Sequence, residues 1–186
     1  MSEVIEFQKW PKIPRLFRDM VITEKIDGTN GAVIITEEGV VAAQSRNRLI
    51  TPEDDNAGFA KWVDANQIEL VVALGVGRHF GEWWGSGIQR RYGLTGNDKR
   101  FSLFNVNRYA DADLSRVPGL GLVPVLYRGP FDTNEADDAL DNLTDSGSWA
   151  SPGFMRPEGI VVFHAAANSC FKVTVEHDEK PKGSFE

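Results

Sequence analysis

Five separated stretches of the chain put polar groups where chemistry could use them. "EKIDGTNG" (24–31) sets Glu24 and Lys25 ahead of Asp27, Gly28 and Asn30, directly before the apolar run "AVIIT". "SRNR" carries Arg46 and Arg48 at the end of a second apolar run. Glu82 lies in "GEWWGSGI", Glu158 in "PEGIVVF" and Lys172 in "FKVTV". A lysine nucleophile with further cations and two carboxylates is an inventory for phosphoryl transfer. Cations neutralise phosphate oxygens, and carboxylates hold a metal, a ribose or a base. Singly, each stretch also reads as ordinary structure: a tight turn, a solvated strand end, an aromatic plug, a charged leading edge. Their co-occurrence in this order is the signal. Gly28 fits it, because a phosphate approaching the main chain beside a reactive lysine leaves no room for a Cβ.

Such groups need a scaffold. "AVIIT" and "VVAAQS" flank "EEG" (37–39) and read as a β-hairpin, with Gly39 supplying the positive φ. In "TPEDDNAGFAKWVDAN" the pattern predicts a helix with Thr51 as N-cap and Pro52 in its first turn. Phe59, Trp62 and Val63 form its core stripe. "FSLFNVN" (101–107) and "GLVPVLYRG" (121–129) read as strands. Thr133 caps a predicted helix over 134–143, with Ala136, Ala139, Leu140 and Leu143 facing inward. "GIVVFH" and "SCFKVTVE" make a second hairpin around "AAAN". Without regular βαβ alternation, the expected class is α+β with antiparallel sheets.

Composition narrows the rest. The 186 residues, 41% hydrophobic, suit a single domain over 1–186. No apolar run is long enough to cross a membrane, and "MSEVIEFQKWPKIPRLF" has no secretory core. The lone cysteine, Cys170, excludes an internal disulfide, fits a reducing cytoplasm and reads as a buried bystander. A net charge of −7 argues against a protein that coats nucleic acid. The charge is uneven, however: Arg90, Arg91, Lys99 and Arg100 interleave with aromatics over 78–100, whereas 132–145 is strongly acidic. Those four cations are the candidate grip for a nucleic acid.

Taken as a set, these motifs resemble the covalent nucleotidyltransferases, which comprise ATP-dependent DNA ligases, RNA ligases and mRNA capping enzymes. "EKIDGTN" and "GEWWGSGI" look most like the RNA ligase branch, and the resemblance spans 24–174. It implies a catalytic domain of two main antiparallel sheets with flanking helices. It also implies an enzyme that forms lysyl-AMP on Lys25 from ATP, with Mg²⁺ or Mn²⁺, and joins 5′-phosphate and 3′-hydroxyl RNA ends. By the same resemblance Glu158 holds the metal through water, Glu82 contacts the ribose and Phe104 stacks on the base. Lys172 and Arg46 bind phosphate, with Arg48 as the alternative. Asp27, Gly28 and Asn30 shape the phosphate site, and Glu24 touches the adenine side. An amine attacks only when neutral, and the neighbouring Lys172 and metal favour that form.

Two departures stand out. The family's closing motif carries two lysines one residue apart, whereas here Lys172 is followed by Thr174, so one phosphate-contacting charge is either missing or supplied from elsewhere, with Arg156 and Lys180 as the candidates. Only a short tail follows Lys172, so no C-terminal OB or helical domain is expected, and an accessory protein is one way to replace it. The expectation is a monomer acting in the cytoplasm, consistent with a virus-encoded repair enzyme. The alternatives are a DNA ligase or guanylyltransferase of the same superfamily, or a nucleotide- or RNA-binding module without turnover.

Overall fold

The computed structural model describes residues 5–176 and residue 178. Its elements, in chain order, are β1 (Asp19–Lys25), β2 (Thr29–Ile35), β3 (Val41–Ser45), β4 (Leu49–Ile50), α1 (Phe59–Ala65), α2 (Gln67–Leu74) and β5 (Gly77–Gly85). Then come β6 (Lys99–Leu103), β7 (Leu120–Leu122), β8 (Val125–Pro130), α3 (Thr133–Ser146), β9 (Gly159–His164) and β10 (Ser169–Thr174). They form a four-stranded sheet, β10-β9-β1-β8, and a six-stranded sheet, β4-β3-β2-β5-β6-β7. All pairings are antiparallel except β6 with β7. This is the α+β architecture expected. Among the described residues no helix is long and apolar enough to cross a membrane.

Alternation along the strands distributes the core. In β1, Met20 and Ile22 pack toward α3, while Val21 packs with Ile26, Trp84, Tyr92, Val106 and Val123 between the sheets. Thr23 and Lys25 therefore share the face of Val21, turned toward the second sheet. A third apolar cluster, with Val33, Phe59, Val63, Trp83 and Phe101, lies under α1 and α2 on the outer face of the larger sheet. In β5 the same alternation sends Trp83 to that outer cluster and Trp84 to the inter-sheet one. Glu82, two residues before Trp84, thus faces inward with it.

Four local expectations are corrected. The first helix begins at Phe59, not at Pro52. Thr51 Oγ1 instead accepts from the Asp54 N–H, and the Asp55 carboxylate accepts from the Ala60 and Lys61 N–H groups. The polar residues thus cap from a turn rather than extend the helix. The helix expected from 134 begins at Thr133 and is capped by Asp132, whose carboxylate accepts from the Asn134 N–H at 2.9 Å. Segment 121–129 is two strands in two sheets, because the chain crosses between them at Val123–Pro124. Cys170 is exposed, on an edge strand, not buried. The hairpins on Gly39 and on 165–168 form as expected.

Candidate active site

Between the sheets opens a cleft of about 590 Å³, lined by Lys25, Asn30, Arg46, Glu82, Phe104 and Lys172 among others. With Glu24, seven candidates separated by up to 148 positions thus meet in one cavity. Lys25, the last residue of β1, pairs across the sheet with Gly159 of β9, and Gly159 with Thr174 of β10. Two rows back, and so on the same face, Thr23, Val161 and Lys172 align in the same way. The inner face of the small sheet therefore presents Lys25 and Lys172 together.

Glu158 precedes β9, and its buried Oε2 forms an ion pair with Lys25 Nζ at 2.6 Å. From the opposite sheet, the Glu82 carboxylate accepts from the Gly28 N–H at 3.1 Å and from Asn30 Nδ2 at 2.7 Å. Asn30 Oδ1 in turn accepts from Arg46 Nε at 3.0 Å. Burial pushes the Glu82 carboxyl up to about 7, against the opposing pull of Lys25 and these two hydrogen bonds. Gly28 is as tightly placed as the sequence suggested: a Cβ there would lie 2.4 Å from the Trp83 carbonyl oxygen.

The structure separates the two arginines of "SRNR". Arg46 faces the cleft, while Arg48 is paired with Asp54. Phe104, 43% exposed, follows β6 and lines the cleft. Glu24 lines the cleft, but both its carboxylate oxygens are taken by the Ser148 hydroxyl and the N–H groups of Trp149 and Ala150. Its carboxylate anchors the loop after α3. Asp27 faces Arg90 Nε at 3.3 Å.

The four cations expected to grip nucleic acid are mostly committed elsewhere. Arg90 donates to the carbonyls of Arg156 and Pro157, so it ties the turn after Lys25 to the segment leading into Glu158. Lys99 donates to the Ala57 carbonyl, and Arg100 pairs with Asp98 while lying over the Trp84 ring. Arg91 is exposed. As for the second charge of the closing motif, Thr174 Oγ1 donates to the Glu176 carbonyl, Arg156 is exposed outside the cleft lining, and Lys180 lies outside the described residues.

Sequence reasoning missed Tyr92. Fully buried, it accepts from the Asp27 N–H at 2.9 Å through its phenol oxygen, while its carbonyl accepts from the Ser151 hydroxyl. Its backbone, at φ 50°, is left-handed, and no glycine or asparagine at the position signalled this. Asn105 and Asn107 in the cleft lining were missed as well.

A divalent cation fits the donors present in one particular way. Among the described residues no three His, Cys, Asp or Glu side chains converge to cage a metal. Mg²⁺, however, keeps several waters and takes few protein oxygens. The buried Oε2 of Glu158, paired with Lys25 but without a hydrogen-bond donor, is an oxygen of that kind.

A family model described as RNA ligase matches residues 18–174. Comparison with curated proteins gives no match. Among solved structures, the chain is similar to a glutamate-to-alanine variant of Naegleria gruberi RNA ligase with AMP and Mn. The two share 19% identity over 90% of this chain and 53% of that one, with a TM-score of 0.62. An arginine-to-alanine variant with ATP and Mn gives 20% identity, 87% and 51% coverage, and a TM-score of 0.62. The same ligase with PPi gives 20%, 87%, 52% and 0.60. This chain spans about half the length of those chains, and at these identities the likeness is one of fold.

Proposed function

This chain belongs to the RNA ligase family, and on that premise we propose that it is an ATP-dependent ligase that joins RNA ends through an AMP-lysine at Lys25. The observation that carries the reading is the Lys25 amine, 2.6 Å from Glu158 Oε2, in a cleft that also holds Lys172, Arg46 and Glu82.

The chemistry follows from these positions. The Lys25 nitrogen attacks the α-phosphorus of ATP, an N–P bond forms, and the bond to the bridging oxygen breaks to release pyrophosphate. The amine must shed a proton to attack, and the Glu158 carboxylate is the acceptor beside it. Lys172 and Arg46 neutralise phosphate oxygens as charge moves to the leaving group. Phe104 offers its ring to the base, and Glu82 holds Asn30 and the Gly28 N–H in place while facing the sugar. When bound, a Mg²⁺ or Mn²⁺ ion would add positive charge at the phosphates, and Glu158 is the residue that would hold it through water. An oxygen of an RNA 5′-phosphate then attacks the AMP phosphorus, and Lys25 leaves and recovers a proton. A 3′-hydroxyl finally displaces AMP from the capped end. Residues 19–174 supply all of these groups, consistent with one nucleotidyltransferase domain.

The test is to incubate the protein with ATP, Mg²⁺ and RNA carrying a 5′-phosphate and a 3′-hydroxyl. Longer or circular RNA, preceded by an AMP-capped strand, is the expected result. Sealing of DNA alone would move the reading to a DNA ligase. A second reading, nucleotide binding without turnover, is favoured by Thr174, whose hydroxyl is bonded within its own turn where a second lysine was expected. Bound ATP that is never cleaved would support that reading.

A further inference from the structure

The segment before β1, "IEFQKWPKIPRLFR" (5–18), stays outside every core cluster, and all of its residues are exposed. Phe7 is 91% exposed, Trp10 83% and Phe17 81%. Monomeric proteins rarely leave such a run of large apolar side chains in water without a partner for it. Among the described residues the segment is anchored at its end, where the Leu16 carbonyl lies 2.6 Å from His164 Nε2 and the Arg18 carbonyl accepts from the Phe131 N–H.

Its charge points to the partner. Lys9, Lys12, Arg15 and Arg18 alternate with the aromatics against one acid, Glu6, in a chain of net charge −7. Among the described residues none of these four side chains forms a salt bridge. Pro11 and Pro14 restrict Trp10 and Ile13 to extended backbone, so the segment is a stiffened strip rather than a helix. Alternating cations and exposed rings on an extended strip match a single-stranded nucleic acid, which offers phosphates and stackable bases at short repeat. Of the internal cations, Arg90, Lys99 and Arg100 already have partners within the fold, which leaves Arg91 as the exposed one.

Position agrees with charge. The groove that seats Leu16 and His164 is also lined by Phe171 of the edge strand β10, and Phe171 lines the Lys25 cleft too. A strand leaving the cleft over β10 therefore arrives at the anchored end of the segment. We propose that residues 5–18 form an RNA-gripping arm, with bases stacking on Phe7 and Trp10 and phosphates pairing with Lys9 and Lys12. The proposal rests on the ligase reading for the identity of the strand.

The test compares the full chain with Phe7→Ala/Trp10→Ala and Lys9→Gln/Lys12→Gln, all exposed positions whose change spares the core. Binding of a 5′-phosphorylated single-stranded RNA oligonucleotide is followed by anisotropy over a salt series, and labelling of Lys25 by ATP is measured without RNA. Each variant should bind RNA about tenfold or more weakly. The lysine variant should also lower the slope of log affinity against log salt by about 1.4, from two lost phosphate contacts. Labelling of Lys25 should be unchanged. Wild-type affinity and slope in both variants would overturn the proposal. So would variants that bind RNA normally but turn a dimeric wild type into a monomer in light scattering, which would assign the arm to a second copy of the chain. A wild type that never labels yet binds RNA through these residues would support the arm while removing the ligase reading.

Discussion

Glu82 carries the clearest electrostatic tension of the site. Its carboxyl is buried, and burial raises it from 4.5 to about 7. The folded protein therefore holds this proton more tightly than the unfolded chain does. The resulting stability is complete below pH 4.5 and is lost as pH rises through 7. Glu82→Gln does not titrate, so its stability relative to wild type should increase from pH 5 to pH 8. Denaturant unfolding at the two pH values measures this, and an unchanged difference would mean that the carboxylate is better solvated than its burial implies. Arg46 and Arg48 give a second contrast between near neighbours. Arg46 points into the cleft and bonds Asn30, whereas Arg48 is spent on exposed Asp54. Arg46→Ala should weaken ATP use by roughly ten- to a hundredfold, as loss of a charged hydrogen-bonding partner does. Arg48→Ala should leave ATP use intact and cost at most about 1 kcal/mol of stability. Steady-state labelling against ATP concentration separates them, and equal losses would contradict the assignment.

At the scale of elements, the hairpin β9–β10 sets Glu158, Gly159 and Lys172 against Lys25. Gly159 has φ +152°, and a Cβ on it would lie 2.1 Å from the Val173 carbonyl oxygen. Gly159→Ala must therefore push β10 away from β9 and displace Lys172, with a destabilisation of about 1–3 kcal/mol or more. Gly121→Ala, with open space around it and no positive φ, is the neutral comparison. Thermal unfolding of the pair should separate them, and equal melting temperatures would refute the packing argument. This hairpin was legible because its strands alternate around a polar turn, and the β2–β3 hairpin because Gly39 marks its turn. The start of α1 was not, because Asp54 and Asp55 look like first-turn acids while their actual partners are Arg48 and the backbone of 60–61. The split of 121–129 was hidden because both strands are apolar and only the change of sheet at Val123–Pro124 divides them.

In the whole molecule two sheets meet at one cleft, with Lys25 and Lys172 on one and Glu82 and Arg46 on or beside the other. Sequence motifs pointed to these candidates, but not to their supports: Arg90 bridging Asp27 to the Glu158 segment, and Tyr92 beneath the Asp27 turn. Both contacts join residues more than sixty positions apart and have no local signature. Trp84, buried in the inter-sheet cluster with its ring 5.2 Å from that of Tyr92, binds the halves. Trp84→Ala should cost about 3–5 kcal/mol, and because it loosens the sheet contact it should lower labelling of Lys25 even in the folded fraction. Normal labelling per folded molecule would show that the cleft does not depend on this contact. The most direct measurement mixes the protein and its Lys25→Ala variant with Mg²⁺ and α-labelled ATP or GTP, then follows label through denaturing electrophoresis. The account predicts label from ATP on the wild type and none on the variant. Label from GTP alone, label that persists in Lys25→Ala, or no label on a folded wild type with either nucleotide would contradict it.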